Sequence, residues 1–189
     1  MNGTQMTMRG CQYSPFLFYH HGHTWALVEE NAYIRIGIDD LGQKLLGRIE
    51  EISLPGKGDQ LDGGHGIRVK SRRKTISLIA PVEGNVIKIN SNLSMEPLLV
   101  NISPYGSGWL ALLKPINLKK TIRQLLYGTD ALNWFDDETI RLNNMFLKSV
   151  ETVLPEVGVT LQDGGELNFE LLDRMPTGQR QGIIAYFLS

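Results

Sequence analysis

Residues 78–90 read LIAPVEGNVIKIN, and this stretch decides the expected fold of the chain. Two β-rich runs, Ile76–Ala80 and Asn85–Asn90, flank a turn at Pro81–Gly84. Proline fixes φ at a value that suits a turn, and Gly84 is able to take a positive φ. Branched side chains favour a strand after the turn, with Lys88 facing water. We therefore expect two short strands joined by a tight turn.

The same stretch continues to a second reversal of the chain at Pro104–Gly108. Trp109–Leu113 then returns as an apolar run, which predicts another strand, and Pro115 is expected to stop it. Upstream, Trp25–Glu29 and Tyr33–Ile38 predict a hairpin whose turn lies at Glu30-Asn31. This alternation of short strands and turns indicates a protein built mainly from antiparallel sheet.

Several spaced motifs resemble those of the H protein of the glycine cleavage system. They are H-x-W at 23–25, I-G-I at 36–38 with L-G at 46–47, A-P-V-x-G at 80–84, N-x-x-L-x-x-x-P-x-L-x-N at 90–101 and P-Y-G-x-G-W at 104–109. The resemblance covers roughly residues 20–115, which is about half of the chain.

The resemblance implies a mainly β fold with appended helices. The expected core is a lipoyl-domain-like flattened antiparallel β-sandwich, also called a barrel-sandwich hybrid. Members of this family carry a lipoyl group on a lysine at a hairpin tip and pass an aminomethyl intermediate between partner enzymes. We expect an N-terminal lead-in at 1–19, a carrier-fold domain at 20–115 and a helical C-terminal extension at 116–189.

The chain departs from the family pattern at the place of the modified lysine. Counting back from Pro81 without a gap puts Ser71 on the family's serine, Arg73 on its lysine and Lys70 on its glutamate. Lipoylation forms an amide on an ε-amine, and the guanidinium of Arg73 offers no such amine. Lys74 lies one residue further along, so on a strand its amine would point to the opposite face. A shortened hairpin would be needed to bring this amine to the position of the family's lysine.

Lys70, Arg72, Arg73 and Lys74 place four cations in five positions, and we call them the basic run. Two interpretations of the basic run are open. It is either a solvated hairpin tip or a surface that binds an acidic or anionic protein partner. We expect an H-protein-like binding module with no working lipoyl lysine and no cofactor. The alternative is an authentic carrier with lipoate on Lys74.

The composition of the 189 residues excludes several other classes. A net charge of −1 and a pI near 6.4 give no general attraction to nucleic acid. No apolar run has the roughly 20 residues of a membrane span. The single cysteine, Cys11, favours a reducing cytoplasm, and we expect an inert thiol in a loose, poorly ordered tail. The sequence carries no signal for an oligomeric state.

No catalytic constellation is present, so we expect no enzyme activity. Three histidines, His20, His21 and His23, lie close enough to suggest a metal-responsive site, but no further ligand follows at suitable spacing. We therefore expect His23 to belong to the H-x-W motif, the other two to be exposed, and no metal to be bound.

Capping signals predict the helices. Asp39 or Asp40 is expected to begin a short helix that Gly47 ends, before a strand at Ile49–Leu54. In the extension, Asn117 is expected to cap a helix at Leu118–Tyr127, and a longer helix should run from Thr129 or Asp130 to about Val150. Two short helices are expected near Phe169–Arg174 and Gly178–Leu188.

Overall fold

The structure, a computed structural model, describes residues 5–64, 66–153 and 165–188. In these ranges the strands are β1 (Met6–Met8), β2 (Cys11–Tyr13), β3 (Phe18–His20), β4 (Thr24–Val28), β5 (Ile34–Ile38), β6 (Ile49–Ser53), β7 (Gln60–Leu61), β8 (Ile67–Ser71), β9 (Thr75–Leu78), β10 (Gly84–Ile89) and β11 (Ala111–Pro115). The helices are α1 (Asp40–Leu46), α2 (Leu99–Ile102), α3 (Leu118–Ile122), α4 (Gly128–Val153), α5 (Glu170–Arg174) and α6 (Thr177–Phe187), with a 3-10 turn at Ser91–Ser94.

The strands form three antiparallel sheets. The order is β3-β4-β5-β11-β10-β7 in the largest, β6-β8-β9 in the second, and β1-β2 in a small hairpin. Alternation along β8 buries Ile67, Val69 and Ser71 and exposes Arg68 and Lys70, as a half-buried strand requires. The predicted mainly β architecture with appended helices is confirmed.

The turn at Pro81–Gly84 passes the chain from the second sheet to the largest, because β9 belongs to one and β10 to the other. The expected reason for glycine at position 84 is wrong, since Gly84 has no positive φ. A Cβ at Gly84 would instead lie 2.5 Å from the carbonyl oxygen of Lys114 on β11. Glycine is required there because two backbones approach closely.

The capping prediction for α1 is confirmed. The Asp39 side chain accepts a hydrogen bond from the backbone N–H of Gly42, and the helix ends at Gly47, whose φ is 72°. The strand expected at Trp109–Leu113 lies two residues further along, at Ala111–Pro115, although Leu110 already donates its backbone N–H to the carbonyl oxygen of Ile36 on β5.

The poorly ordered lead-in expected before residue 20 is wrong for the described residues. β1 and β2 form a hairpin and β3 forms the edge of the largest sheet. Cys11 is fully buried rather than in a loose tail. Burial raises the pKa of its thiol to about 12, so the thiol stays protonated and unreactive at neutral pH.

The helical extension, residues 116–188, begins with a shorter helix than expected. Asn117 does cap α3, but the helix ends at Ile122 rather than Tyr127. The backbone of Leu126 is instead paired with Tyr19, through two N–H···O bonds of 2.9 Å each. A segment that pairs with a strand in this way cannot also continue a helix.

The rest of the extension packs against the sandwich. Phe135 and Phe146 of α4, Leu172 of α5 and Ile184 and Phe187 of α6 are buried with the strand residues. The two short helices predicted near residues 169 and 178 are present as α5 and α6. From the sequence, Pro155 also predicts an end to the long helix and residues 162–166 predict a turn, and of these Pro155 and residues 162–164 lie outside the described residues.

Candidate functional site

The basic run lies at the turn between β8 and β9. Lys70 pairs with Thr75 at the end of the ladder. Ser71 then donates its backbone N–H to the carbonyl oxygen of Lys74 at 3.0 Å, and its hydroxyl donates to the same oxygen at 2.9 Å. Arg72 and Arg73 are therefore the two outermost residues of a tight turn. We call residues 71–74 the hairpin tip.

Arg73 turns inward from the hairpin tip, and only 8% of its side chain is exposed. Its guanidinium donates five hydrogen bonds, two to Asp173 and one each to the carbonyl oxygens of Lys44, Leu45 and Phe169, at 2.6–3.2 Å. The two bonds to Asp173 run from Nε and Nη2 to separate carboxylate oxygens, which is the bidentate geometry that arginine favours.

The end of α1 provides part of this receptor. The carbonyl oxygens of Lys44 and Leu45 belong to the last turn of the helix, where they lack intrahelical partners and lie at the negative end of the dipole. Gly47 leaves room beside them, because a Cβ there would lie 3.2 Å from Cζ of Arg73. A cation at this place is therefore stabilised by backbone geometry as well as by Asp173.

The pKa of the Asp173 carboxyl reflects its contact with Arg73. The hydrogen bonds from Arg73 lower the pKa of the Asp173 carboxyl, and the charges of Arg73, Arg72 and Arg180 lower it further, against an opposing effect of burial. The carboxylate is thus charged at neutral pH.

The other members of the basic run differ from Arg73. Arg72 and Lys70 are exposed, and Lys70 has only a distant contact with Glu50, at 3.9 Å. Lys74 is half-buried, and its Nζ lies 3.4 Å from the carbonyl oxygen of Gln181 on α6. The structure therefore brings the four cations to one end of the second sheet, but it leaves only part of the run open to solvent.

The three histidines do not converge on one point. His23 is fully buried, with Nδ1 2.8 Å from Asp39 and Nε2 4.0 Å from Glu138, and its ring packs on Trp134. His21 is exposed, and His20 is half-buried rather than exposed as expected. Burial, together with the other two histidines, lowers the pKa of His20. Across the described ranges, no cluster of three or more His, Cys, Asp or Glu side chains is arranged to hold a metal.

Sequence reasoning missed the partners of Arg73. Asp173 lies 100 residues away in a five-residue helix, and the Phe169 contact uses a backbone oxygen. Neither position carries a motif. The one available signal was the excess of positive charge on the hairpin, which predicts a carboxylate somewhere but does not choose among the aspartates and glutamates of the chain.

Comparison with protein-family models matches residues 17–138 to the family described as Glycine cleavage H-protein. A probable glycine cleavage system H protein of Pyrococcus abyssi is 38% identical over 111 residues, which cover 58% of this chain and 82% of that protein. A glycine cleavage system H protein of Xanthomonas axonopodis pv. citri is 37% identical over 117 residues, covering 61% of this chain and 88% of that protein.

Among solved structures, the chain is similar to a glycine cleavage system H protein from Mycobacterium marinum. The TM-score is 0.58 at 24% sequence identity, over 67% of this chain and 98% of the other. This likeness confirms the predicted lipoyl-domain-like β-sandwich with a helical extension. In the part of the chain that the structure describes, no helix is long and apolar enough to cross a membrane.

Proposed function

Because this chain belongs to the glycine cleavage H-protein family, we propose that it is a member that binds proteins without carrying lipoate at the hairpin tip. The observation that carries the proposal is Arg73. Arg73 is the second of the two outermost residues of the hairpin tip, and the resemblance places the family's modified lysine at this position. All five hydrogen bonds of its guanidinium are directed into the protein.

The chemistry of acyl transfer supports this proposal. An amine that attacks an activated lipoyl group must first lose its proton and then reach the acyl carbon. A guanidinium offers no such amine, and the side chain of Arg73 is largely enclosed, so Arg73 meets neither requirement. We propose accordingly that the protein has no catalytic site and no cofactor of its own, and that it acts by contact with other proteins.

The exposed cations define the contact surface that we propose. Lys70 and Arg72 point into solvent and Lys74 is half-open, so an acidic segment of a partner protein would meet them together. Such a partner fits the charge of the hairpin better than one that expects a carboxylate at position 70. The same proposal has three further parts. The partners belong to a glycine cleavage system, the protein resides in the cytoplasm, and the carrier fold gives way to the extension at residue 115.

Intact mass tests the absence of lipoate. The full chain is co-expressed with a lipoate ligase and supplied lipoate, beside a lipoylated H protein as positive control. We expect no lipoyl adduct on this chain, and Lys74→Arg serves as the matched variant that cannot be modified at position 74. An adduct that maps to Lys74 and is lost in Lys74→Arg would make the protein an authentic carrier and overturn the proposal.

The acidic partner is tested with polyglutamate as a defined probe. We expect binding that weakens as salt rises, because exposed charges are screened over about 10 Å at 0.1 M ionic strength. Reversing Lys70 and Arg72 to Glu should abolish it, whereas reversing Lys119 and Lys120 to Glu, which changes the net charge equally at exposed positions of α3, should reduce it by less than about twofold. Equal losses from both changes would show that net charge alone is being measured.

A further inference from the structure

Two short helices of the extension cover one side of the hairpin tip. Arg73 bonds Asp173 and Phe169 in and next to α5, and Lys74 contacts Gln181 on α6. Arg72, the neighbouring residue of the same tip, remains exposed. Two adjacent arginines thus differ in environment because a segment about 100 residues further along the chain lies over one of them.

We propose that α5 and its entry residue Phe169 are the resident partner of the hairpin tip, and that the Arg73–Asp173 pair is the contact that holds them over it. The proposal rests on the proposed function in one respect only, which is that the tip is the place where other proteins dock. It assigns to the extension the role of an internal competitor for that place.

The contact has the character of an interface between two proteins. It centres on an arginine that makes a bidentate pair with a carboxylate, with the flat guanidinium enclosed by backbone oxygens. On the same helix as Asp173, Leu172 is fully buried, and Phe169 just before it packs against the core. The segment therefore presents both the acidic group and the apolar anchors that a docking peptide would need.

The contact at the tip is also the part that can exchange. Asp173 keeps 36% of its side chain exposed, and α5 has only five residues, so it depends on its packing for its shape. A carboxylate brought by a partner has access to this pair from solvent, and the exposed Arg72 adds a positive charge on the same tip. Displacement of Asp173 would then leave Arg73 facing the incoming group.

Labelling with phenylglyoxal, followed by mass mapping, measures the cover directly. Arg72 is the internal reference, because it lies in the same tip and is exposed. In the unaltered full chain we expect Arg73 to react about tenfold or more slowly than Arg72, since enclosure and hydrogen bonding both oppose attack. In Asp173→Ala, the rate of Arg73 relative to Arg72 should rise by about 5- to 30-fold.

Glu170→Ala is the matched control, because it removes an exposed carboxylate from the same helix and should leave the ratio of the two rates unchanged. Asp173→Asn, which keeps the shape of the side chain, is used if the alanine variant does not fold. Equal labelling of Arg72 and Arg73 in the unaltered chain, or an unchanged ratio in both Asp173 variants, would overturn the proposal.

This labelling needs no partner, so its result is independent of the polyglutamate titration. Absence of polyglutamate binding, in the unaltered chain as well as in the variants, would contradict the proposed acidic partner but not the proposed internal cover. A steady ratio of labelling rates would count against the internal cover alone. If both proposals hold, Asp173→Ala should also bind polyglutamate about threefold or more tightly than Glu170→Ala, because one competitor for Arg73 has been removed.

Discussion

The extension meets the sandwich at two joints that differ in chemistry. One joint is aromatic and joins Tyr13, Tyr19 and His23 to α4 and α6. The other is the polar contact between the hairpin tip and α5. Tyr13, Tyr19 and His23 at the aromatic joint are each exposed by 1% or less, whereas the side chain of Asp173 at the polar joint is 36% exposed.

Burial of apolar ring surface stabilises the aromatic joint. Tyr13 stacks on Tyr19 at 5.1 Å between ring centroids, Phe135 lies 5.3 Å from Tyr13, and Trp134 lies 5.1 Å from His23. Burial of such rings is costly to reverse, because all of that apolar surface would return to water. The polar joint depends on one side chain whose bonds can be replaced by water or by another carboxylate.

The difference teaches that aromatic contacts make α4 and α6 part of the core, whereas α5, which lies between them in the chain, meets the hairpin tip through a polar contact. The exchange that we propose concerns only this polar contact. Four substitutions test this division, and they should have effects that decrease in order.

Phe135→Ala should have the largest effect. Removing a fully buried ring that touches Tyr13 and Tyr19 should lower the free energy of unfolding by about 3–5 kcal/mol. Urea denaturation followed by fluorescence measures it. Ile140→Ala, on the same helix but 37% exposed, should cost less than about 1 kcal/mol. Similar losses for the two would mean that the aromatic joint is not a special anchor.

Asp39→Ala should come next, at about 2–3 kcal/mol, because it removes the cap of α1 and leaves His23 without its 2.8 Å partner. The control is Asn117→Ala, which removes the exposed cap of α3 and should cost only about 0.5–1 kcal/mol. The same urea series compares them. Equal costs would show that the His23–Asp39 pair adds nothing to stability.

Asp173→Ala should cost about 1–2 kcal/mol at neutral pH, since the pair is charge-assisted but partly exposed. The pKa of Asp173 is lowered by folding, so its contribution is present above the usual aspartate pKa of about 3.9 and is lost as the pH falls further. Denaturation at pH 7 and pH 3 should therefore show the difference between variant and parent shrinking in acid. A difference that grows in acid would contradict the assigned ion pair.

Lys74→Arg should have the smallest effect. The charge is kept and the contact with Gln181 is a long one, so unfolding should change by less than about 0.5 kcal/mol and polyglutamate affinity by less than about twofold. Lys74→Glu, the charge-reversed control, should weaken the same binding. A large loss in Lys74→Arg would indicate that the lysine amine itself matters, as it does in a lipoylated carrier.

Local features were predictable from the sequence and distant ones were not. The cap at Asp39 and the stop at Gly47 were found because every interaction of α1's ends lies within a few residues. The burial of Cys11 was missed because β2 is covered by elements far along the chain, including α4. The hairpin tip was found, but the inward course of Arg73 was not, since Asp173 and Phe169 are ordinary residues of a short helix and its entry.

The amino-terminal hairpin also affects the order in which the chain can fold. The carbonyl oxygen of Arg9 accepts the N–H of Leu167, and its side chain bonds Asp136. These contacts join residues more than 120 positions apart, and pairings so distant in sequence form late because the intervening chain must first be closed into a loop. During synthesis, β1 and β2 leave the ribosome well before Leu167, so their contact with Leu167 forms late. Until Leu167 has left the ribosome, a nascent chain carries this hairpin without its final neighbour, and its unpaired backbone groups are open to wrong pairing.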